Sequence, residues 1–264
     1  MVDLAGLIED LRVEHVDLDR VVSVLPEARW DEPTPAIPWT IRDQISHLAF
    51  FDEQASLAAS DQEVFLNSLS VVTDADSFMN GSLERGRAMP STGVLAWWRE
   101  VRESMLDGFR ALDPSARIPW FGPPMSPASF ISARLMETWA HGQDIVDALG
   151  VQRAATDRLK HVAHLAVRAR GYSYSANGKT LPDEPVAVEL TAPGGETWTW
   201  DDGAAARVEG GALGFCLVVT QRRHIKDTNL RVTGAAAEEW MSIAQAFAGP
   251  PGEGRRPAQF PSVP

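Results

Sequence analysis

The sequence predicts an α+β protein of two domains: a helical bundle, antiparallel, over about residues 1–178 and a small α+β domain over about 182–250, followed by a flexible tail at 251–264. Three observations carry this. Apolar side chains recur at alternating steps of three and four through most of the first part, the mark of helices with one buried face. At residue 182 the pattern changes to apolar and polar side chains in alternation, the mark of strands. The 264 residues, 44% hydrophobic, are enough to bury a sizeable core in one large domain or two smaller ones.

Along the chain, Leu4, Ile8, Leu11, His15, Leu18, Val22 and Leu25 form one stripe behind an Asp3 cap, which predicts a helix over 3–25. His15 falls on that stripe and reads as a hydrogen-bonded core histidine outside any site. The segment DEPTPAIPW is a proline-rich loop, after which Thr40 can cap a second helix with Asp43 at the third position. Ile41, Ile45 and Leu48 form its core stripe, with His47 beside it. Residues 61–90 are irregular and predict two short helices without chemistry. Ser91 opens the next helix, carrying Val94, Trp98, Val101, Met105, Phe109 and Leu112 inward.

The rigid loop WFGPPMSP leads to Ser126 and Pro127, suited to the cap and first turn of a helix that runs to Leu149 and stops at Gly150. A further helix over 156–174 exposes His161, His164 and Arg168. PVAVELTAPGGETWTWDD then predicts a hairpin around its PGG turn, and two apolar helices at 211–221 and 235–247 flank the strand NLRVTG. No internal repeat is visible.

A net charge of -12 and a pI near 4.9 argue against a partner bound through a phosphate backbone, so no nucleic acid is expected. The N-terminus lacks an apolar signal core, and the run LGFCLVV is too short to span a bilayer. A cytoplasmic protein without a membrane partner is expected. Cys216 stands alone, which excludes an intramolecular disulfide and a cysteine zinc cluster, and its apolar surroundings suit a core residue.

Chemistry concentrates in RLMETWAHGQD, where Glu137, His141 and Asp144 lie at i, i+4 and i+7 and leave one helix face together. Beside them, a packed second helix could deliver His47. Two imidazoles and a carboxylate suit zinc, or nickel, cobalt or iron, and leave coordination positions open. The blander alternative is an ordinary surface pair, Glu137 and His141, with His47 unrelated. Asp144 could orient a histidine or accept a proton. Trp120 and Phe121 could wall the open side of such a pocket, or simply pack.

WTIRDQISHLAFFDE together with ETWAHGQDIVDALG resembles the DinB-like metal-binding helical bundle, and in particular its actinobacterial branch of mycothiol-dependent maleylpyruvate isomerases. The likeness covers roughly residues 5–170 and implies that His47, Glu137 and His141 hold zinc. Residues 182–248 resemble the small sterol-carrier-like α+β domain that follows the bundle in this branch, with LVVTQRRHIKDTNLRVTG at its helix, basic turn and strand. An active-site arginine of that branch finds its nearest match in Arg222, with Arg223 the alternative as a substrate-binding group. WFGPPMSPASFISARLMETWAHGQDIVDALG is also similar to an uncharacterised actinobacterial group of metal-binding proteins in the same superfamily.

The resemblance implies a divalent-metal enzyme that uses a low-molecular-weight thiol, mycothiol, for isomerisation or S-transfer on a small electrophile. A hydrolase with metal-bound water as nucleophile and a non-catalytic small-ligand binder are the alternatives. Oligomeric state is not legible in the sequence.

Overall fold

The computed structural model describes residues 3–69 and 75–263, with the side chains of 75–79 excepted. It is an α+β chain with ten α-helices and one four-stranded sheet among those residues, and it divides into two compact units, Met1–Gln152 and Arg153–Pro264.

The first unit holds α1 (Leu4–Val22), α2 (Ile41–Ser60), α3 (Gln62–Leu69), α4 (Ala75–Arg87), α5 (Ser91–Arg110) and α6 (Pro127–Leu149). Their ends follow local chemistry. Asp3 accepts the Gly6 N–H at 3.0 Å to open α1. Thr40 and Asp43 exchange hydrogen bonds in a capping box that fixes the start of α2. Ser126 caps α6, Pro127 fills its first turn, and Gly150 ends it in the left-handed conformation at φ 66°.

α2 packs against α3, α4, α5 and α6, so it is buried on most sides rather than on one stripe. Leu18, Ile41, Ile45, Leu48, Trp98 and Val101 make the core of this unit. Central position also forces polar groups inside, and these are paired: Arg42 binds Asp31 at 2.8 Å and Glu27 at 2.7 Å, and donates to the Met89 carbonyl at 2.7 Å. α4 approaches α2 through Gly86, where a Cβ would lie 1.7 Å from Ser46 Oγ.

The second unit holds α7 (Leu159–Arg168), α8 (Arg170–Ala176), β1 (Val186–Thr191), β2 (Thr197–Trp200), β3 (Ala206–Gly211), α9 (Ala212–Val219), β4 (Arg231–Thr233) and α10 (Ala235–Ile243). The sheet order is β2-β1-β3-β4, with β1 parallel to β3 and the other pairs antiparallel. α9 is apolar nearly throughout because β1, β3 and α7 surround it.

Three features differ from the sequence-based expectation. The helix expected over 156–174 breaks at Ala169 into α7 and α8, which pack on α9 and α10 and so share the second unit rather than the bundle. β3 has no counterpart in that reading; its ARVEGG sequence carries a charge and two glycines and gains strand structure from pairing on both edges. Residues 251–263, read as a flexible tail, are anchored: the Ala258 N–H donates to both Asp227 carboxylate oxygens at 2.9 and 3.0 Å, and the Val263 N–H donates to the Asp227 carbonyl at 2.9 Å.

Candidate metal centre

Two well-capped helices of the first unit bring the ligand-type side chains together. Two turns into α2, His47 meets Glu137 and His141, which stand one turn apart on α6. One ligand atom from each of the three residues lies within 4.8 Å of the others. His141 Nε2 is 3.0 Å and His47 Nε2 3.8 Å from the same Glu137 oxygen, Oε2, and the imidazole centroids are 4.5 Å apart. Ligand atoms about 2.0–2.2 Å from zinc stand about 3.3 Å apart around a tetrahedron, a separation those two distances bracket.

Electrostatics favours the ligand forms. Burial, and then the neighbouring His141, push the His47 pKa down to about 4, so that its ring is neutral near pH 7. Burial alone would raise the Glu137 carboxyl, but the contacts with His141 and His47 outweigh it and hold Glu137 well below the usual carboxylate range. A neutral imidazole and an ionised carboxylate are the states a divalent cation needs. The side chains of His47 and His141 are nearly buried, at 9% and 10% exposed, whereas Glu137 is 23% exposed, so one edge of the cluster meets solvent. The donor set therefore fits a divalent metal with three protein ligands and open positions.

The two imidazoles are held differently. His141 Nδ1 makes a hydrogen bond with Gln44 Oε1, and the Trp39 ring stacks on the His141 ring at 5.7 Å and 13°. His47 is flanked by Trp39 at 5.0 Å and Phe51 at 4.6 Å, and its Nδ1 is buried without a hydrogen-bond partner among the described residues. Gln44, Trp39 and Phe51 escape the sequence reading. A signal existed for Gln44, since a polar amide one turn before His47 shares its helix face.

The remaining expected site residues are placed as follows. Asp144 is fully buried and outside the three-residue cluster, and Gln44 contacts His141 Nδ1. Trp120 stacks on Phe65 at 5.6 Å, and Phe121 is 41% exposed. Phe51, which flanks His47, lies 6.2 Å from Trp120 and 5.7 Å from Phe121. In the second unit, the Arg222 guanidinium donates to the Thr220 carbonyl at 2.6 Å and that of Arg223 to the Arg222 carbonyl at 2.7 Å. Cys216 is buried, which pushes its thiol far up and leaves it un-ionised, as expected of a core cysteine.

Behind the cluster lies a buried charge pair. Asp52 accepts hydrogen bonds from Arg134 Nε at 3.0 Å and Trp98 Nε1 at 3.2 Å, and Arg134 Nη2 lies 2.8 Å from the same carboxylate as an ion-pair contact. Burial raises the Asp52 pKa despite the guanidinium. His15 is buried as expected but has no hydrogen-bond partner among the described residues: its Nε2 is 3.8 Å from Asp52, and its ring stands edge-on to Trp98. Burial, with Arg102 and Arg134 adding to it, holds His15 well below the ordinary imidazole range and so neutral.

Residues 11–146 match the mycothiol maleylpyruvate isomerase N-terminal domain family. Two uncharacterised proteins of Mycobacterium tuberculosis, from strains H37Rv and CDC 1551, are each 45% identical over 257 residues, spanning 97% of this chain and 100% of theirs. Crystal structures of a mycothiol-dependent maleylpyruvate isomerase and of its histidine-to-alanine mutant share the fold, with TM-scores of 0.59 and 0.60. Each is 15% identical, and the likeness covers 89% of this chain and 94% of theirs.

Proposed function

This chain belongs to the mycothiol maleylpyruvate isomerase N-terminal domain family, and from that premise we propose that it is a metal-dependent isomerase with mycothiol as thiol cosubstrate. The observation that carries the reading is the convergence of His47, Glu137 and His141. These three would hold a divalent ion, zinc being the best fit to the donor set. When bound, such an ion keeps a thiol ionised near neutral pH.

The chain's own residues supply the surroundings. Gln44 and Trp39 hold the His141 ring, while Trp39 and Phe51 enclose His47 and restrict water around the imidazoles. Asp144, buried one turn beyond His141 on α6, would orient a histidine or accept a proton. Arg222, with Arg223, would bind a carboxylate of the substrate or of the thiol through the guanidinium fork. Trp120 and Phe121 would contribute apolar substrate contacts. The second unit is the counterpart of the sterol-carrier-like domain, and a cytoplasmic location follows from a small-thiol cosubstrate.

In isomerisation the thiol sulfur adds to an activated double bond, the resulting single bond rotates, and elimination of the same sulfur restores the double bond. The thiol is then regenerated. In S-transfer a leaving group departs instead and one thiol is consumed per product. The test is turnover of maleylpyruvate and other unsaturated keto acids by zinc-loaded protein, stripped of small molecules, with and without added mycothiol. Product formation that needs mycothiol but does not consume it supports the proposal. Conversion without any thiol would mark a hydrolase or another reaction class, and ligand binding without conversion would mark a binding protein.

A further inference from the structure

We propose that Gln44 is a positioning residue of this centre: together with Thr34 and the Trp39 carbonyl, it fixes His141 in the tautomer protonated on Nδ1. The inference rests on reading His47, Glu137 and His141 as metal ligands, and it assigns a role to residues outside that set. It begins at a backbone carbonyl. The oxygen of Trp39 can only accept, and it receives both the Thr34 N–H at 2.8 Å and the Thr34 hydroxyl at 2.8 Å.

A hydroxyl has a single proton. With that proton committed to Trp39, Thr34 Oγ1 can serve Gln44 only as an acceptor, and it lies 2.9 Å from Gln44 Nε2. The side-chain amide must therefore turn its NH2 towards Thr34 and its carbonyl oxygen, Oε1, the opposite way. There it meets His141 Nδ1. Since Oε1 can only accept, Nδ1 must carry hydrogen, and a neutral imidazole with Nδ1–H has its lone pair on Nε2. Nε2 is the atom that faces Glu137 at 3.0 Å.

The amide and the hydroxyl of this relay are shielded. Gln44 is 0% and Thr34 3% exposed, so water does not readily stand in for a missing partner. The loop supplying the carbonyl is itself closed, because the Trp39 N–H donates to the Ala36 carbonyl at 2.9 Å and Pro33 bridges to Thr40. Trp39 thus acts twice on one histidine: its carbonyl sets the proton's position and its ring, stacked on the imidazole, sets the plane. Hydrogen bonds of this kind to a metal-binding histidine typically change metal affinity by about 10–100-fold when lost.

The experiment is zinc affinity by chelator competition together with histidine ¹⁵N NMR of the metal-free protein at about pH 8.5, where an ordinary imidazole is neutral. Gln44→Met keeps the approximate side-chain volume but removes the acceptor; Gln44→Glu keeps an acceptor. The wild type should show His141 as the Nδ1–H tautomer. Gln44→Met should lose that tautomer and bind zinc about 10–100-fold more weakly, while Gln44→Glu stays within about threefold of wild type by the same reasoning.

Wild-type zinc affinity in Gln44→Met, or an Nε2–H tautomer in the wild type, overturns the proposal. If Gln44→Met does not fold, Thr34→Val decides: it removes the acceptor that orients the amide, and unchanged tautomer and affinity in that variant are equally fatal. A wild type that binds no zinc would instead overturn the metal reading, and its tautomer would still settle the role of Gln44.

Discussion

Replacing Arg134 with Met should destabilise the first unit more than any loss of packing would, because it strands a buried carboxylate. Asp52 is 0% exposed and is paired with Arg134, which donates a hydrogen bond from Nε at 3.0 Å and places Nη2 2.8 Å away; the other donor among the described residues is the Trp98 N–H at 3.2 Å. Breaking such a pair by removing one partner costs about 3–5 kcal/mol. At about 2–4 °C per kcal/mol for a chain near this size, the thermal midpoint should fall by roughly 6–20 °C at pH 7.

The sign of the pH dependence is a second constraint. Burial already raises the Asp52 pKa, and loss of the guanidinium raises it further. A group whose folded pKa lies above its unfolded value contributes stability below the unfolded pKa and loses it as pH rises through the folded one. The deficit of Arg134→Met should therefore shrink as pH is lowered from 7 towards about 4. Urea unfolding at several pH values measures this. Adding Asp52→Leu should recover most of the loss, because an apolar pair needs no compensation, apart from the Trp98 N–H left without its acceptor. A cost under about 1 kcal/mol at pH 7, well below that of breaking a buried pair, or a deficit that grows in acid, would refute the reasoning.

His141→Ala should abolish stoichiometric zinc binding while leaving the far-UV helical signal nearly unchanged; one equivalent of zinc retained after dialysis would contradict the site. The metal-free wild type should lose stability as pH falls from about 6.5 to 4, since His47, held near 4, must charge in the unfolded chain first. His47→Leu should reduce that slope, the part that remains belonging to His15, which burial also holds below the ordinary imidazole range. Gly86→Ala should cost about 1–3 kcal/mol, because its Cβ would sit 1.7 Å from Ser46 Oγ and 2.5 Å from Ser46 Cβ. Ser46→Gly in the same chain should return part of that stability in denaturant titrations.

Helices with a clear stripe and strong caps were legible from sequence. Asp3, Thr40 with Asp43, and Ser126 with Pro127 all cap where local chemistry requires. The approach of Glu137 and His141 was equally local, a matter of i and i+4. What escaped depends on packing. β3 becomes a strand because β1 and β4 pair with it, and α7 leaves the bundle because α9 offers its apolar surface. His47 could be joined to Glu137 only through the resemblance, and the Trp39–Thr34–Gln44 relay crosses ten residues of loop and helix that carry no repeating pattern.

The anchored end of the chain bears on the proposed anion-binding role of Arg223. Phe260 lies beneath the Arg223 guanidinium, 4.3 Å from its ring centre to the central carbon, so one flat side of that cation is already taken by an aromatic surface. A carboxylate bound by Arg223, as proposed, would come in along the plane of the guanidinium, where its N–H groups point, rather than from that side. Chains shortened before Phe260 would lose this directional restriction, and chains shortened before Ala258 would lose the Asp227 carboxylate clasp as well.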